Sequence, residues 1–321
     1  MFGDMNDRQR LRAEYAKQKY GYYHLATDGW QQGRLFHTLA QYAYGMVLIG
    51  LLTLRFPIVI YDFTLMNNHI HILLKGNGKA CLMAFDYLKR KLSARLAKDG
   101  YPPLPKDYGF KLTAIVNEKQ MRTNYLYVAR NSYERKDAIP GCYPWGADYL
   151  HYSPLSQFIR GKRADTLSKR ELERLTGSRT PIPSHWEFHP ELGLLPASFV
   201  EEKLFKRLFH SPKDYQTHLI KDYEAFVQVG KTLCEDVTFS KEEVDNIVDQ
   251  LIKQYYPQKR IQKLSNDEKG RLCVLLSENY GLQPEMIASE LILSVHLVNQ
   301  FLHAKDYGVT QKRPKTRNEN H

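Results

Sequence analysis

The segment Leu65-Met66-Asn67-Asn68-His69-Ile70-His71-Ile72-Leu73-Leu74-Lys75-Gly76 constrains the fold more than any other part of the chain. Successive side chains of a strand point to opposite faces. His69 and His71 therefore emerge side by side, while Ile70, Ile72 and Leu74 cover the other face. Such a strand belongs in a sheet with one face on an apolar core and the other kept for polar chemistry. Two neutral imidazoles at this separation can hold one divalent cation and leave its other positions to oxygen ligands and substrate. The plainer reading is a pair of half-exposed strand histidines, since a chain with 12 histidines carries such pairs by chance. Asn68 ahead of the pair, the apolar strand around it and Gly76 at its end favour the metal site.

The neighbouring segments supply the rest of a sheet. Residues 20–25 read as a first strand, closed by the Asp28-Gly29 turn signal. Residues 34–56 carry apolar side chains at helical spacing, and Pro57 stops that helix. Residues 58–66, rich in β-branched and aromatic types, form a second strand, and Asn67-Asn68 turns it into the histidine strand. Leu82, Phe85, Leu88, Leu92 and Leu96 mark one face of a following helix; Lys89, Arg90, Lys91 and Arg95 lie on its other side, and Gly100 ends it. With strand-like residues 110–116, the expected class is α+β, an antiparallel sheet with helices on one face.

A chain of 321 residues with 43% hydrophobic content can bury a real core and divides into about two or three domains. Its most apolar run, residues 44–54, is too short for a bilayer and holds Gly45 and Gly50. The first ten residues lack the apolar segment of a signal peptide. Cys81, Cys142, Cys234 and Cys273 are far apart, which argues against a zinc site or a disulfide framework. A cytoplasmic protein is expected. Its net charge of +11 favours a polyanionic partner, because each neutralised phosphate releases counterions. Twenty-two tyrosines and three tryptophans offer stacking surfaces for unpaired bases.

Beyond residue 155 the composition changes. Arg160, Lys162, Arg163, Lys169, Arg170 and Arg174 outnumber the acids, giving a solvated helix or linker, and four prolines punctuate residues 181–196. His185 and His189 are four apart, but Trp186 stands where a zinc-protease motif needs glutamate, so they read as loop residues. Ser240 with Glu243, and Ser265 with Glu268, fit capping boxes. The second opens a trihelical pattern: residues 268–278, 284–290 and 294–303. Those lengths match a helix-turn-helix whose last helix offers Ser294, His296, Asn299 and Gln300 to duplex DNA, against a generic three-helix module. The partition expected is 1–158 catalytic domain, 159–260 basic helical connector, 261–308 helix-turn-helix, and 309–321 basic disordered tail.

Residues 65–71 resemble the signature of HUH single-strand transposases, and among them the REP-associated tyrosine transposases, whose run is typically Met-Pro-Asn-His-x-His. Other landmarks fall in the family's order: Tyr22-Tyr23-His24-Leu25, Leu88-Lys89-Arg90, Tyr127-Val128-Ala129-Arg130-Asn131 and Tyr143-Pro144-Trp145-Gly146. The resemblance spans residues 20–155 and implies a ferredoxin-like sheet and a partner of single-stranded, hairpin-bearing DNA. It implies Mg2+ or Mn2+ held by His69, His71 and a third polar ligand, for which Asp62, Asp86 and Asn68 are nearby in sequence. It also implies a tyrosine nucleophile on the helix after the motif, giving a 5′-phosphotyrosine. Here Leu92 occupies the register of that tyrosine; Tyr87 is the one tyrosine on the helix, with Tyr101 and Tyr108 following in a Pro-rich loop. Lys89, Arg90, Arg95, Arg130 and Asn131 are the expected DNA contacts. Two alternatives stand beside this reading: a cleavage-inactive DNA-binding regulator on the same fold, supported by Leu92, and an RNA-binding protein using the same basic, aromatic surface.

Overall fold

The computed structural model describes residues 5–27, 29, 33–134, 141–235 and 237–304. Asp28 of the expected first turn and the basic tail from residue 309 lie outside the described residues. The chain forms two compact units, one of Met1–Leu219 with Thr232–Cys234 and one of Ile220–Lys231 with Glu235–His321.

The first unit opens with helix α1 (Met5–Ala16), then strand β1 (Gly21–Thr27), helix α2 (Leu39–Arg55), the hairpin β2 (Val59–Leu65) and β3 (Ile70–Gly76), helix α3 (Gly78–Lys98), strand β4 (Phe110–Ile115) and helix α4 (Glu118–Arg130). The strands lie in the order β2-β3-β1-β4, each neighbouring pair antiparallel. Two β-α-β units thus interleave, β3 sitting between β1 and β2 and β1 between β3 and β4. Thr38 and Asn77 cap α2 and α3 by accepting from the backbone N–H of Gln41 and Ala80, satisfying donors a helix start leaves open.

Strand alternation sorts the sheet into two unlike faces. Leu25, Phe63, Leu65, Ile70, Ile72 and Leu74 are fully buried on one, beneath α2 and α3. On α3, Phe85 packs its ring 4.2 Å from that of Phe110, and Leu88, Leu92 and Leu96 are buried as their spacing predicts. The opposite face carries the histidines, and it is not open. Helix α4 covers it, so helices lie on both faces rather than on one. The segment Tyr143–Ala147 seats on the free edge of β2, with Leu65 N–H donating to Trp145 O at 2.8 Å and Ala147 N–H to Phe63 O at 2.9 Å.

A second, small sheet of β5 (Lys162–Arg163), β6 (Glu187–His189) and β7 (Gly193–Leu194), with α5 (Lys169–Thr176), packs on the far side of α2. Gly193 has φ +75, and a Cβ there would stand 2.2 Å from Ala43 O, so only glycine allows this approach. Trp186, Phe188 and Leu194 join the main core. His189 lies in β6 rather than in a loop, its Nδ1 accepting from the N–H groups of Glu191 and Leu192. Helices α6 (Lys203–Leu208) and α7 (Pro212–Lys221) follow.

The second unit holds most of α8 (Tyr223–Leu233), then α9 (Lys241–Tyr255), α10 (Asn266–Tyr280), α11 (Pro284–Leu291) and α12 (Val295–His303). Ser240 and Ser265 complete both expected capping boxes. Ile247, Leu272, Leu276, Ile287, Leu291 and Val298 form its core. Between α11 and α12 the backbone turns through Ile292 at φ 54. Among the described residues, no helix is long and apolar enough to cross a membrane.

Candidate active site

The register places the polar residues opposite one another. His71 pairs with Ala26 of β1 and Thr64 of β2, and His24 pairs with Leu73. Residues two apart share a face, so His24, Asp62, Thr64, His69 and His71 all face α4. Across from them, α4 presents Asn124, Tyr127 and Asn131, spaced by three and four residues along one helical stripe. The rings of His69 and His71 lie 4.8 Å apart, and Tyr127 packs against His71 at 5.6 Å and His24 at 6.0 Å, centroid to centroid. All are buried; His24 and His71 are 0% exposed.

Hydrogen bonds define which ring atoms face what. His69 Nδ1 lies 2.8 Å from Asn68 Oδ1, and its Nε2 lies 3.1 Å from Asn131 Oδ1. Both amides are oriented, because Asn68 Nδ2 donates to Gly29 O and Asn131 Nδ2 donates to Tyr127 O. Two carbonyl oxygens therefore face the two nitrogens of one imidazole. Facing two oxygens, the ring needs a donor or a cation at each nitrogen, so either a second proton or a cation shared with Asn131 would complete the arrangement. Adjacent ligands on a small octahedral ion, each 2.0–2.1 Å from it, stand about 3 Å apart, which is the His69–Asn131 separation.

On the other side of the pair, His24 Nε2 and His71 Nδ1 are 3.0 Å apart, and His24 Nδ1 lies 2.7 Å from Asn124 Oδ1. His71 also interacts with Asn131. Burial drives His24 down to about 4, with Asn124 partly opposing, and drives His71 well below the ordinary histidine value, helped by His69 and His24. Both rings are neutral at neutral pH, the form a metal ion requires. The donor set of two imidazoles and an amide oxygen suits a borderline or hard divalent ion. Among the described residues no three His, Cys, Asp or Glu side chains gather as a metal cluster, so an ion held here would need the amide oxygen of Asn131 as a third ligand.

The third-ligand options separate cleanly. Asn68 touches the outer nitrogen of His69, Asp86 is ion-paired to Arg12 at 2.6 Å on α3, and Asp62 accepts from Phe63 N–H. Burial and the nearby Asp148 raise Asp62 well above the usual carboxylate range. Asn131, expected as a DNA contact, is the residue brought between the histidines.

Tyr87 is not brought to them. It sits on α3 across the sheet, its ring flanked by Phe56 at 5.9 Å and by Arg55 at 4.8 Å. The sheet lies between α3, which carries Tyr87, and the face that carries His69 and His71, so the expected Tyr87 is not brought to the histidines and the tyrosine beside them is Tyr127. The α3 cations share that remote side. Lys89 donates to the carbonyls of Lys106 and Tyr108, Arg95 to Asp99, and Arg90 lies over the Tyr87 ring at 5.8 Å. Arg130 is buried at the end of α4, next to Asn131. In the second unit Ser294 caps α12, His296 and Gln300 are exposed and 3.2 Å apart, and Asn299 is half-buried.

The sequence reading passed over Asn124, and quoted His24 and Tyr127 only as landmarks. The available signal was an i, i+3, i+7 series of Asn124, Tyr127 and Asn131, with a polar His24 in an apolar strand.

A solved structure of a REP-associated tyrosine transposase bound to a REP hairpin is similar over 42% of this chain and 82% of its own, at 15% identity and a TM-score of 0.34. No family model matches the chain. No curated protein matches it either.

Proposed function

We propose that this protein cleaves and rejoins single-stranded, hairpin-bearing DNA through a tyrosine, with His69, His71 and Asn131 holding Mg2+ or Mn2+. The observation that carries this reading is the convergence of two strand histidines with Tyr127 and Asn131, one helical turn apart on α4. When bound, the metal would polarise the scissile phosphate as a Lewis acid. The residues do the rest. Tyr127 loses its phenolic proton and its oxygen bonds to phosphorus; the phosphorus–3′-oxygen bond breaks, and the leaving oxygen takes up a proton as a 3′-hydroxyl. The 5′-phosphotyrosine retains the bond for rejoining, so no nucleotide cofactor is needed. Asn131 positions Tyr127 through its bond to the Tyr127 carbonyl, 2.8 Å. The net charge of +11 supports a nucleic-acid partner, and the α12 residues Ser294, His296, Asn299 and Gln300 would add contacts to duplex DNA in the manner of a helix-turn-helix.

The burial of this site favours one second reading, a cleavage-inactive DNA-binding protein: Tyr127 is 5% and His69 7% exposed. The two separate in one assay. Full-length protein is mixed with labelled single strands from the flanks of its own gene and Mn2+, and a denaturing gel is read for a covalent band. A band lost in His69→Ala supports the transferase; hairpin binding with no band in the parent protein supports the binding protein.

A further inference from the structure

Helix α4 and strand β1 hold a continuous line of oriented hydrogen bonds behind His71. Asn124 Nδ2 donates to the backbone carbonyl of Gln120 at 2.8 Å, within its own helix. That bond settles which way the amide faces, because the flipped amide would set two carbonyl oxygens against each other. Asn124 Oδ1 is therefore turned to His24, 2.7 Å from Nδ1, and as an acceptor it requires a proton on that nitrogen. In a neutral ring the proton on Nδ1 leaves Nε2 as an acceptor. His24 Nε2 faces His71 Nδ1 at 3.0 Å, so the proton between them belongs to His71. His71 then carries its proton on Nδ1, and its Nε2 is unprotonated on the side of the site, where Asn131 lies.

We propose that Asn124 and His24 are positioning residues: they relay a backbone carbonyl's polarity through two side chains and fix His71 as the Nδ1–H tautomer, presenting Nε2 as a ready ligand. The proposal rests on the reading of His71 as a metal ligand, and adds the device that prepares it. Partners behind a ligating histidine fix its tautomer and ring angle and raise its basicity; losing one typically weakens metal binding about 10- to 100-fold. Both residues are buried behind His71. His69 has a different support, the side-chain amide of Asn68, so the two ligands are prepared independently.

The test uses the full chain labelled with nitrogen-15 histidine, without added metal. Long-range proton–nitrogen correlation distinguishes the tautomers of a neutral ring. His24 and His71 should both carry the proton on Nδ1. In Asn124→Leu the His24 tautomer is released, His71 becomes a mixture, and Mn2+ affinity by titration falls about 10-fold or more. A parent protein with the His71 proton on Nε2 overturns the proposal, as does an Asn124→Leu protein with unchanged tautomers and unchanged Mn2+ affinity. A parent protein that binds no Mn2+ but shows the Nδ1–H pattern removes the metal reading while the relay stands.

Discussion

A histidine buried without charge makes a protein sensitive to acid. Burial holds His24 at about 4 and His151 at about 3. Their unfolded-chain value is about 6.5, so the unfolded chain takes up these protons first. Stability from the neutral rings is complete above that value and is lost as pH falls toward the folded values. Asp148, raised to about 6 by burial, runs the other way, since its folded form binds the proton first. His151 isolates the effect. Its ring stacks on Phe205 at 3.7 Å, and both its nitrogens lack a hydrogen-bond partner among the described residues. His151→Phe keeps the stacking and removes two unsatisfied buried atoms. Urea unfolding should show a gain of ~1 kcal/mol at pH 7, widening at pH 4.5. A difference between variant and parent that stays constant with pH contradicts this account.

At the scale of elements, close backbone approach decides where helices dock. Gly78 opens α3 beside the end of α1, and a Cβ there would stand 1.7 Å from Tyr15 O. Gly78→Ala should undock α1, seen as faster amide exchange across Met5–Ala16 while the β3 amides stay protected; unchanged exchange in α1 would refute it. Elements of this kind differ in how readily sequence declares them. The β2–β3 hairpin was legible because Ile70, Ile72 and Leu74 alternate with the histidines, and α3 because its leucines repeat at helical spacing. Helix α4 carries a short apolar stripe of Met121, Tyr125 and Val128, but Asn124, Tyr127 and Asn131 make polar the face it turns to the sheet, and that face gave no apolar period to read. The active-site partner of a polar sheet face is itself polar, so the same chemistry that makes the site hides half of it. Tyr87 drew attention as the one tyrosine on the helix after the histidines, where the resemblance implies a nucleophile, but that helix packs on the other face of the sheet.

For the whole molecule, the composition change after residue 155 suggested a connector, yet residues up to Leu219 belong to the first unit. Trp186, Phe188 and Leu194 anchor that stretch in the core, but they are scattered among prolines and short strands, with no period to reveal them. The second unit forms its helices close to where the capping boxes placed them, and the DNA role proposed for it is tested separately. Gln300→Ala, at an exposed position on α12, should weaken duplex binding by about 1 kcal/mol or more and leave covalent adduct formation unchanged; equal duplex affinity would remove α12 as a reading helix. The central claim concerns Tyr127, and the most direct measurement is to digest the covalent protein–DNA adduct and locate the phosphotyrosyl peptide by mass spectrometry. The account predicts DNA on Tyr127, an adduct lost in Tyr127→Phe and retained in Tyr87→Phe. An adduct on Tyr87, or on any tyrosine other than Tyr127, contradicts it.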